Sequence, residues 1–149
     1  MRLMYLPAVQ EDIPVLCSLS RQLIDRYEDV DSIPYEKVIK WVEKKIESSI
    51  GEYIRILCDG MVAGYFHLCK GEDGRLELDD FYVLEPFRGK GIGTEVLHEI
   101  LANADEEVML YVFERNTGAI RLYERMGFVT EKAVGATRRI MVKRKESNE

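Results

Sequence analysis

The sequence predicts a single α/β (α+β) domain over residues 1–149, with a mixed central sheet of about six or seven strands flanked by four helices. First, helix-spaced and strand-like apolar patterns alternate along the whole chain. Second, Asp59 and Gly60 separate two strand-like runs, which predicts a hairpin of antiparallel strands. Third, a helical run separates the strands predicted at 75–84 and 108–113, and strands joined by a helix lie parallel.

The first part of the chain predicts one strand and two helices. Residues 2–9 are predicted to be a strand, and residues 12–27 a helix. The core side of that helix carries Leu16, Leu19, Leu23 and Tyr27. Pro34 starts a second helix at 35–48. The spacing within this helix predicts four inward side chains, which are Val38, Trp41, Val42 and Ile46.

The remaining segments alternate between strands and helices. The predicted strands lie at 53–58, 62–68, 75–84, 108–113, 128–133 and 137–143. The predicted helices contain residues 92–100 and 119–126. The last residues, from Lys143 to Glu149, are nearly all polar and are expected to fray.

Composition narrows the class of protein. The formal net charge of −6 argues against nonspecific binding to nucleic acid or to anionic membranes, because both need a basic surface. No apolar run approaches the roughly 20 residues of a membrane span, and Met1 leads into a strand-like segment, so we expect a soluble cytoplasmic protein. The three cysteines and two histidines lack ligand spacing, and therefore neither a disulfide nor a metal site is expected.

A glycine-rich turn at 88–94 follows the strand at 75–84 and opens a helix. Gly89, Gly91 and Gly93 let the backbone approach a ligand closely, and the helix adds its positive amino-terminal end. These features predict a cradle for a pyrophosphate. The spacing G-x-G-x-G differs from the G-x-G-x-x-G dinucleotide fingerprint and from the P-loop, so neither of those nucleotide sites is predicted.

The same turn carries the pattern R-x-x-G-x-G, formed by Arg88, Gly91 and Gly93. A second block, N-x-x-A-x-x-x-Y-x-x-x-G-F, runs from Asn116 to Phe128. In both blocks the sequence resembles the GCN5-related N-acetyltransferase (GNAT) family, whose coenzyme A pyrophosphate signature is the first pattern. The predicted element order, β-α-α-β-β-β-α-β-α-β-β, is similar to that of the family over essentially the whole chain.

The resemblance implies a GNAT-like sheet that is splayed open between the strands at 75–84 and 108–113. Pantetheine would enter this opening and pair with free backbone groups, as an added strand does, and the thioester would lie near Tyr82 and Val83. Acetyl-CoA is the implied cosubstrate, with no metal. The resemblance implies that Asn116 bonds a water or the cofactor, and Asn116 is also suited to cap the helix that follows it. The other implied cofactor contacts are Arg88, Gly89, Lys90, Gly91, Ile92, Gly93 and Thr94.

The resemblance also implies roles for the reacting groups. Tyr123 stands at the position of the family's general acid. A backbone N–H near Val83, next to a bulge, is the implied donor to the oxyanion. Glu77 occupies the position of the catalytic glutamate in histone-type members, and Asp80 an acidic position of some aminoglycoside-modifying members. Asp79 is a third candidate for the general base.

The strand geometry divides these carboxylates between two faces. A regular strand would place Glu77 and Asp79 on the face that carries Phe81. Asp80 would then lie on the opposite face, together with Tyr82. A bulge would alter this division.

The implied activity is acetyl-CoA-dependent transfer of an acetyl group to a primary amine. The acidic composition favours a small cationic acceptor, such as a polyamine-like or aminoglycoside-like molecule, over protein lysines. Tyr111 stands where ribosomal-type N-terminal acetylating members carry a glutamate, which weakens that alternative. A noncatalytic coenzyme A-binding sensor or interaction domain is the remaining alternative, and the sequence leaves open whether the chain forms a homodimer.

Overall fold

The computed structural model describes residues 1–145 of the chain. Its strands are β1 (Leu3–Pro7), β2 (Tyr53–Cys58), β3 (Met61–Lys70), β4 (Leu76–Val83), β5 (Val108–Phe113), β6 (Val129–Val134) and β7 (Arg138–Lys143). Its α-helices are α1 (Ile13–Tyr27), α2 (Tyr35–Ser49), α3 (Ile92–Asn103) and α4 (Thr117–Arg125). Residues 146–149, which belong to the segment expected to fray, lie outside the described residues.

The seven strands form one mixed sheet, in the order β1-β2-β3-β4-β5-β7-β6. β4 and β5 are parallel, whereas the other neighbouring pairs are antiparallel. The parallel pairing joins Leu76 to Val108 and Glu77 to Met109, and then the two strands separate. We call the point of separation, at Glu77 and Met109, the vertex. The predicted mixed sheet, open between these two strands and flanked by four helices, is confirmed.

Helices cover both faces of the sheet. α3 and α4 pack on one face through their apolar stripes and form the larger core. On the opposite face, Leu16 of α1 and Ile46 of α2 pack around Tyr53, Tyr65 and Tyr82. Buried tyrosine hydroxyls need hydrogen-bond partners, so this second face is the one that recruits polar side chains. Within residues 1–145, no helix is both long and apolar enough to cross a bilayer.

The inward face of α2 differs from the prediction. Ile39 and Ile46 are buried, whereas Trp41 leaves 65% of its surface exposed. The sequence places apolar residues on two adjoining stripes of α2, and periodicity alone does not indicate which stripe meets the sheet. The prediction that Trp41 points inward is therefore wrong, and its side chain lines a cleft instead.

β4 contains a β-bulge at Asp79. In the pairing with β3, Asp80 lies opposite His67 and Leu78 lies opposite Leu68, which leaves Asp79 without a partner. An extra residue in one strand shifts the alternation of the side chains that follow it.

The bulge corrects two predictions. Asp79 and Asp80 both contact Lys45 of α2, so the separation of these carboxylates expected for a regular strand does not hold, because the bulge alters the division. The bulge was also expected near Val83, but the pairing with β3 is regular there. Both differences have one cause, since the position of a bulge depends on the partner strand and cannot be derived from β4 alone.

Candidate active site

The glycine-rich turn forms an open loop before α3. Gly89 and Gly91 have φ angles of 76° and 80°, in the left-handed region that favours glycine. A Cβ on either residue would meet no atom within 4 Å, so the loop borders free space. α3 starts at Ile92, and the N–H groups of its first turn have no partner within the helix. The loop therefore offers several backbone donors to an anionic ligand.

Two cations flank this loop. The Arg88 Nε donates a hydrogen bond of 2.9 Å to the carbonyl oxygen of Val83, which joins the loop to the end of β4. The Lys90 Nζ lies 5.6 Å from the centre of the Phe87 ring. Arg88 and Lys90 are both exposed, so their charges are accessible to a ligand at the loop.

The other predicted contacts in the loop belong partly to the core. The Ile92 side chain is buried, so this residue can offer a ligand only its backbone. A Cβ on Gly93 would lie 3.4 Å from Leu122 of α4, which indicates that Gly93 also allows the two helices to approach. Thr94 is half-buried in the first turn of α3.

The backbone of Val83 faces the opening between β4 and β5. The Leu84 N–H donates to β3, and the carbonyl of Tyr82 points at Gly64 of β3. Successive residues of a strand direct their backbone polar groups to opposite edges, so those of Phe81 and Val83 point into the opening. The Val83 N–H therefore points into the opening, as its predicted role requires, whereas the Val83 carbonyl oxygen accepts the hydrogen bond from Arg88. The backbone of Tyr82 faces β3, and its contact with the cofactor stays a prediction.

α4 brings Asn116 and Tyr123 to the opening. The Asn116 side chain accepts a hydrogen bond of 3.3 Å from the Ala119 N–H, which caps α4. The Tyr123 ring lies 5.6 Å from the ring of Phe128, and its hydroxyl makes no hydrogen bond within residues 1–145. Burial, followed by the negative charge of Asp80, raises the pKa of Tyr123, so the hydroxyl keeps its proton.

Lys45 of α2 joins two carboxylates of β4. Its Nζ lies 2.8 Å from Oδ2 of Asp79 and 3.1 Å from Oδ2 of Asp80. Burial disfavours the ammonium, but the two carboxylates outweigh burial and raise the pKa of Lys45. We call Glu77, Asp79, Asp80 and Lys45 the acidic floor.

His67 of β3 orients Asp79. Its Nδ1 lies 2.8 Å from Oδ2 of Asp79, and an ionised carboxylate only accepts, so Nδ1 donates. The imidazole stacks on Tyr53 at 4.4 Å between ring centres. Its Nε2 is buried without a partner in the described residues. Burial works to raise the pKa of Asp79, but the hydrogen bonds from His67 and Lys45 outweigh burial and hold this pKa below its usual range.

Asp80 is the more enclosed of these two aspartates. Its carboxylate accepts hydrogen bonds from the hydroxyls of Tyr53 and Tyr82, the second at 3.2 Å. Ser20 of α1 lies 2.7 Å from the Tyr82 hydroxyl and extends the network. Burial raises the pKa of Asp80, in spite of the charge of Lys45. The pKa values of two neighbouring carboxylates are thus shifted in opposite directions, which is typical of functional sites.

Glu77 lies at the vertex and has a free carboxylate. No hydrogen bond or ion pair joins it to another residue within 1–145. Burial, followed by the charge of Asp79, raises the pKa of Glu77 above the ordinary value of 4.5. Among the carboxylates of the acidic floor, Glu77 has the oxygen atoms most available to an incoming proton.

A cleft of about 710 Å³ connects these groups. Its lining includes all three predicted catalytic residues, Glu77, Asp80 and Tyr123, together with Tyr82 and Asn116. The glycine loop does not line this cleft. It lies past the end of β4, where the sheet is open. The structure therefore separates the predicted anion-binding loop from the predicted reacting groups and connects them through the opened sheet.

Four residues of the site were not predicted from the sequence. These are Lys45, Tyr53, His67 and the exposed Trp41. Lys45 follows Trp41 by one helical turn, which the sequence shows, but its partners on β4 are distant in sequence. His67 and Tyr53 are neighbours only because β2 and β3 pair. No signal within their own segments could have indicated these contacts.

This arrangement indicates a class of protein that binds its ligand within an opened sheet. A sheet opened between two parallel strands, with a glycine loop and the N–H groups of a helix start at one end and ionisable groups at the vertex, suits an extended ligand that carries phosphate. The comparison with known families agrees with this description. Residues 18–128 match the family model of the Acetyltransferase (GNAT) family, and the chain belongs to this family.

Individual relatives match shorter parts of the chain. An uncharacterized N-acetyltransferase of Mycobacterium bovis is 35% identical over 74 residues, which are 47% of this chain and 47% of that protein. The spermine/spermidine N(1)-acetyltransferase of Bacillus subtilis is 39% identical over 62 residues, which are 38% of this chain and 41% of that protein. This chain thus covers about half the length of these curated relatives or less.

The fold has close counterparts among solved structures. The PaiA N-acetyltransferase of Thermoplasma acidophilum, solved in complex with coenzyme A, has a TM-score of 0.71 to this chain. The sequence identity is 21%, and the superposition covers 97% of this chain and 100% of that chain. At this identity the likeness shows that the two proteins share a fold.

Proposed function

We propose that this chain is an acetyl-CoA-dependent N-acetyltransferase that moves an acetyl group to the primary amine of a small cationic molecule. One observation carries the proposal: the acidic floor, which includes the free carboxylate of Glu77, and the protonated hydroxyl of Tyr123 line one cleft in the opened sheet. Membership of the GNAT family supports the reaction class. The polyamine acetyltransferase among its relatives supports an amine acceptor.

The loop and the opening fit coenzyme A. The free space beside Gly89 and Gly91 leaves room for a pyrophosphate, which the N–H groups of the first turn of α3 and the charges of Arg88 and Lys90 would bind. Val83 presents its backbone to a pantetheine arm, which would pair with it as an added strand does. An arm held at the loop and directed along β4 would extend toward the cleft that Tyr123 lines.

Bound acetyl-CoA supplies an acetyl group on a thioester, which is open to attack by a neutral amine. The acceptor amine arrives as an ammonium ion near neutral pH. Asp79 and Asp80 attract this cation, and Glu77 removes its proton, directly or through water. The carboxylates of Asp79 and Asp80 already accept hydrogen bonds, whereas Glu77 has no such bond to another described residue. We therefore assign the role of general base to Glu77.

Tyr123 is the proposed general acid. The amine nitrogen forms a bond to the acetyl carbon, the carbon–sulfur bond breaks, and the sulfur takes a proton from the Tyr123 hydroxyl. The nitrogen loses its surplus proton as the amide forms, and this proton returns through water to the Tyr123 oxygen. Its raised pKa keeps that proton available, and the hydroxyl has no competing partner within residues 1–145. Backbone N–H groups of β4 that face the opening, at Phe81 and Val83, are the proposed donors to the acetyl oxygen.

The test is release of free coenzyme A thiol from acetyl-CoA in the presence of a panel of primary amines. We expect amine-dependent release by the wild type. Tyr123→Phe should bind acetyl-CoA normally and lose about 10²-fold or more in kcat, because phenylalanine has nearly the same volume but no transferable proton. Full turnover by this variant would remove Tyr123 from the mechanism. If the wild type binds acetyl-CoA but releases no thiol with any amine, a coenzyme A sensor replaces the enzyme as the conclusion.

A further inference from the structure

One wall of the active-site cleft is apolar. It is formed by α1, by α2 and by the turn between them. The side chains that line it are Leu23, Ile24, Ile33, Val38, Trp41 and Val42, which we call the apolar wall. Trp41 is 65% exposed, and so large an aromatic surface left in water indicates a contact that a ligand can complete.

The charges of the cleft favour a single ammonium at its inner end. There, Glu77, Asp79 and Asp80 carry three carboxylates, and Lys45 is the cation among them. The side chains of Asp79 and Asp80 are only 18% and 12% exposed, so solvent screens their charges weakly. An ammonium that enters this end is attracted by the excess of negative charge.

The outer end lacks a comparable site for a second ammonium. Glu28 lines the cleft there, but its Oε1 already accepts a hydrogen bond of 3.0 Å from the Asp29 N–H. Two arginines lie close by. The Arg115 Nη1 is 3.5 Å from the carbonyl oxygen of Glu28, and the Arg138 guanidinium lies 5.1 Å from the centre of the Tyr111 ring. With Glu28 as the one carboxylate among the described residues that lines this end and two arginines near it, a second ammonium meets no excess of negative charge there.

We propose that the acceptor is a primary amine with one ammonium group on an apolar body, either alkyl or aromatic, which lies against the apolar wall with Trp41 as its main contact. This inference rests on the proposed function and narrows it. It distinguishes the acceptor of this chain from a polyamine, whose further ammonium groups would face the two arginines and the apolar wall.

Matched amines test the charge argument. Hexylamine and 1,6-diaminohexane have the same carbon chain and differ by a second ammonium. We expect kcat/KM for hexylamine to exceed that for the diamine by about 10-fold or more, since a second cation at an apolar site loses its hydration without a partner. 2-Phenylethylamine should be used at least as well as hexylamine. Preference for the diamine or for spermidine would overturn the inference.

A variant tests the role of Trp41. Trp41→Ala should raise the acceptor KM for hexylamine and 2-phenylethylamine about 5- to 10-fold, because apolar contact area is lost. Its kcat, its KM for acetyl-CoA and its melting temperature should stay unchanged. Met61→Ala is the matched control, since Met61 is an equally exposed apolar residue at 64% and does not line the cleft. An unchanged acceptor KM in Trp41→Ala would overturn the assignment.

Fluorescence separates this inference from the proposed function. Trp41 is the single tryptophan of the chain, so its emission reports directly on an amine bound against it. Titration of the wild type with hexylamine should shift this emission, and an equal concentration of the diamine should shift it far less. If hexylamine shifts the emission but no thiol is released, the proposed activity fails and the amine site stands. If hexylamine is acetylated without any change in emission, the activity stands and the apolar wall is not the binding site.

Discussion

Glu77 and Asp80 lie in the same strand, yet their surroundings make them unequal as bases. Glu77→Gln should lower kcat most strongly near neutral pH and remove the acidic limb of the kcat profile. Because its pKa is raised, that limb should lie above pH 4.5 in the wild type, with activity lost as the pH falls and Glu77 takes up a proton. Asp80→Asn should act mainly on the acceptor KM. Steady-state kinetics across pH values check both variants.

Two other results of this experiment would change the assignment. If Asp80→Asn removes the acidic limb and Glu77→Gln leaves it, the base is Asp80. Its raised pKa would then suit the uptake of a proton, and its hydrogen bonds with Tyr53 and Tyr82 would form a proton relay. If neither variant changes kcat, the carboxylates only attract the amine, and solvent removes the proton.

Gly64 illustrates how one residue limits the approach of two strands. A Cβ at this position would overlap the carbonyl oxygen of Tyr82, which is backbone and cannot rotate away. Gly64→Ala should therefore lower the free energy of unfolding by about 1–3 kcal/mol, as overpacking does. Gly51→Ala is the control, because a Cβ there meets no atom within 4 Å. Urea denaturation of both variants measures the difference, and equal stability would contradict the close contact.

At the scale of the element, α2 supplies both a part of the apolar wall, which includes Trp41, and the cation of the acidic floor. Lys45→Met removes the charge between Asp79 and Asp80 at similar length. The variant should lose about 1–3 kcal/mol of stability at pH 7, because two partly buried carboxylates then face each other without a cation. Lys44→Met, at an exposed neighbouring position, should change stability little.

The loss in Lys45→Met should depend on pH. In the wild type, the pKa of Asp79 is lowered by folding, so its contribution to stability is present above the unfolded pKa and disappears as the pH falls. Protonation of the aspartates also relieves their repulsion in the variant. The difference in melting temperature between variant and wild type should therefore be larger at pH 7 than at pH 4. A difference that grows at acid pH would contradict this role of Lys45.

The elements could be predicted from the sequence better than their faces. Asp59 and Gly60 are residue types that a tight turn needs, so the sequence predicts a hairpin there. The structure has this hairpin, with the two residues between the end of β2 and the start of β3. Trp41 was assigned to the wrong face of α2, and the division of the carboxylates expected for a regular β4 does not hold. Both differences arise from tertiary packing: a different stripe of α2 meets the sheet, and pairing with β3 creates the bulge in β4.

At the scale of the whole molecule, the site depends on contacts between distant segments. The glycine loop and Tyr123 lie in continuous motifs, so the sequence could indicate them. Three of the residues that hydrogen-bond Asp79 or Asp80 are distant in sequence, namely Lys45 on α2, Tyr53 on β2 and His67 on β3, whereas Tyr82 lies on β4 itself. Only the folded sheet brings these elements together. A single sequence therefore indicates the glycine loop and Tyr123 better than it indicates the contacts among the carboxylates of the cleft.

Binding of acetyl-CoA across the opened sheet should stabilise the whole domain. A ligand that binds only the folded state raises the melting temperature with concentration, and we expect this for the wild type. Gly91→Glu should abolish the shift, because the new carboxylate occupies the free space beside the loop and repels a pyrophosphate.

Gly74→Glu is the matched control for Gly91→Glu. The φ angle is 84° at Gly74 and 80° at Gly91, a Cβ meets open space at both positions, and Gly74 lies outside the loop. Both variants carry the same backbone strain and the same added charge, so a shift that persists in Gly74→Glu and vanishes in Gly91→Glu assigns the effect to the loop. An undiminished shift in folded Gly91→Glu would contradict pyrophosphate binding there.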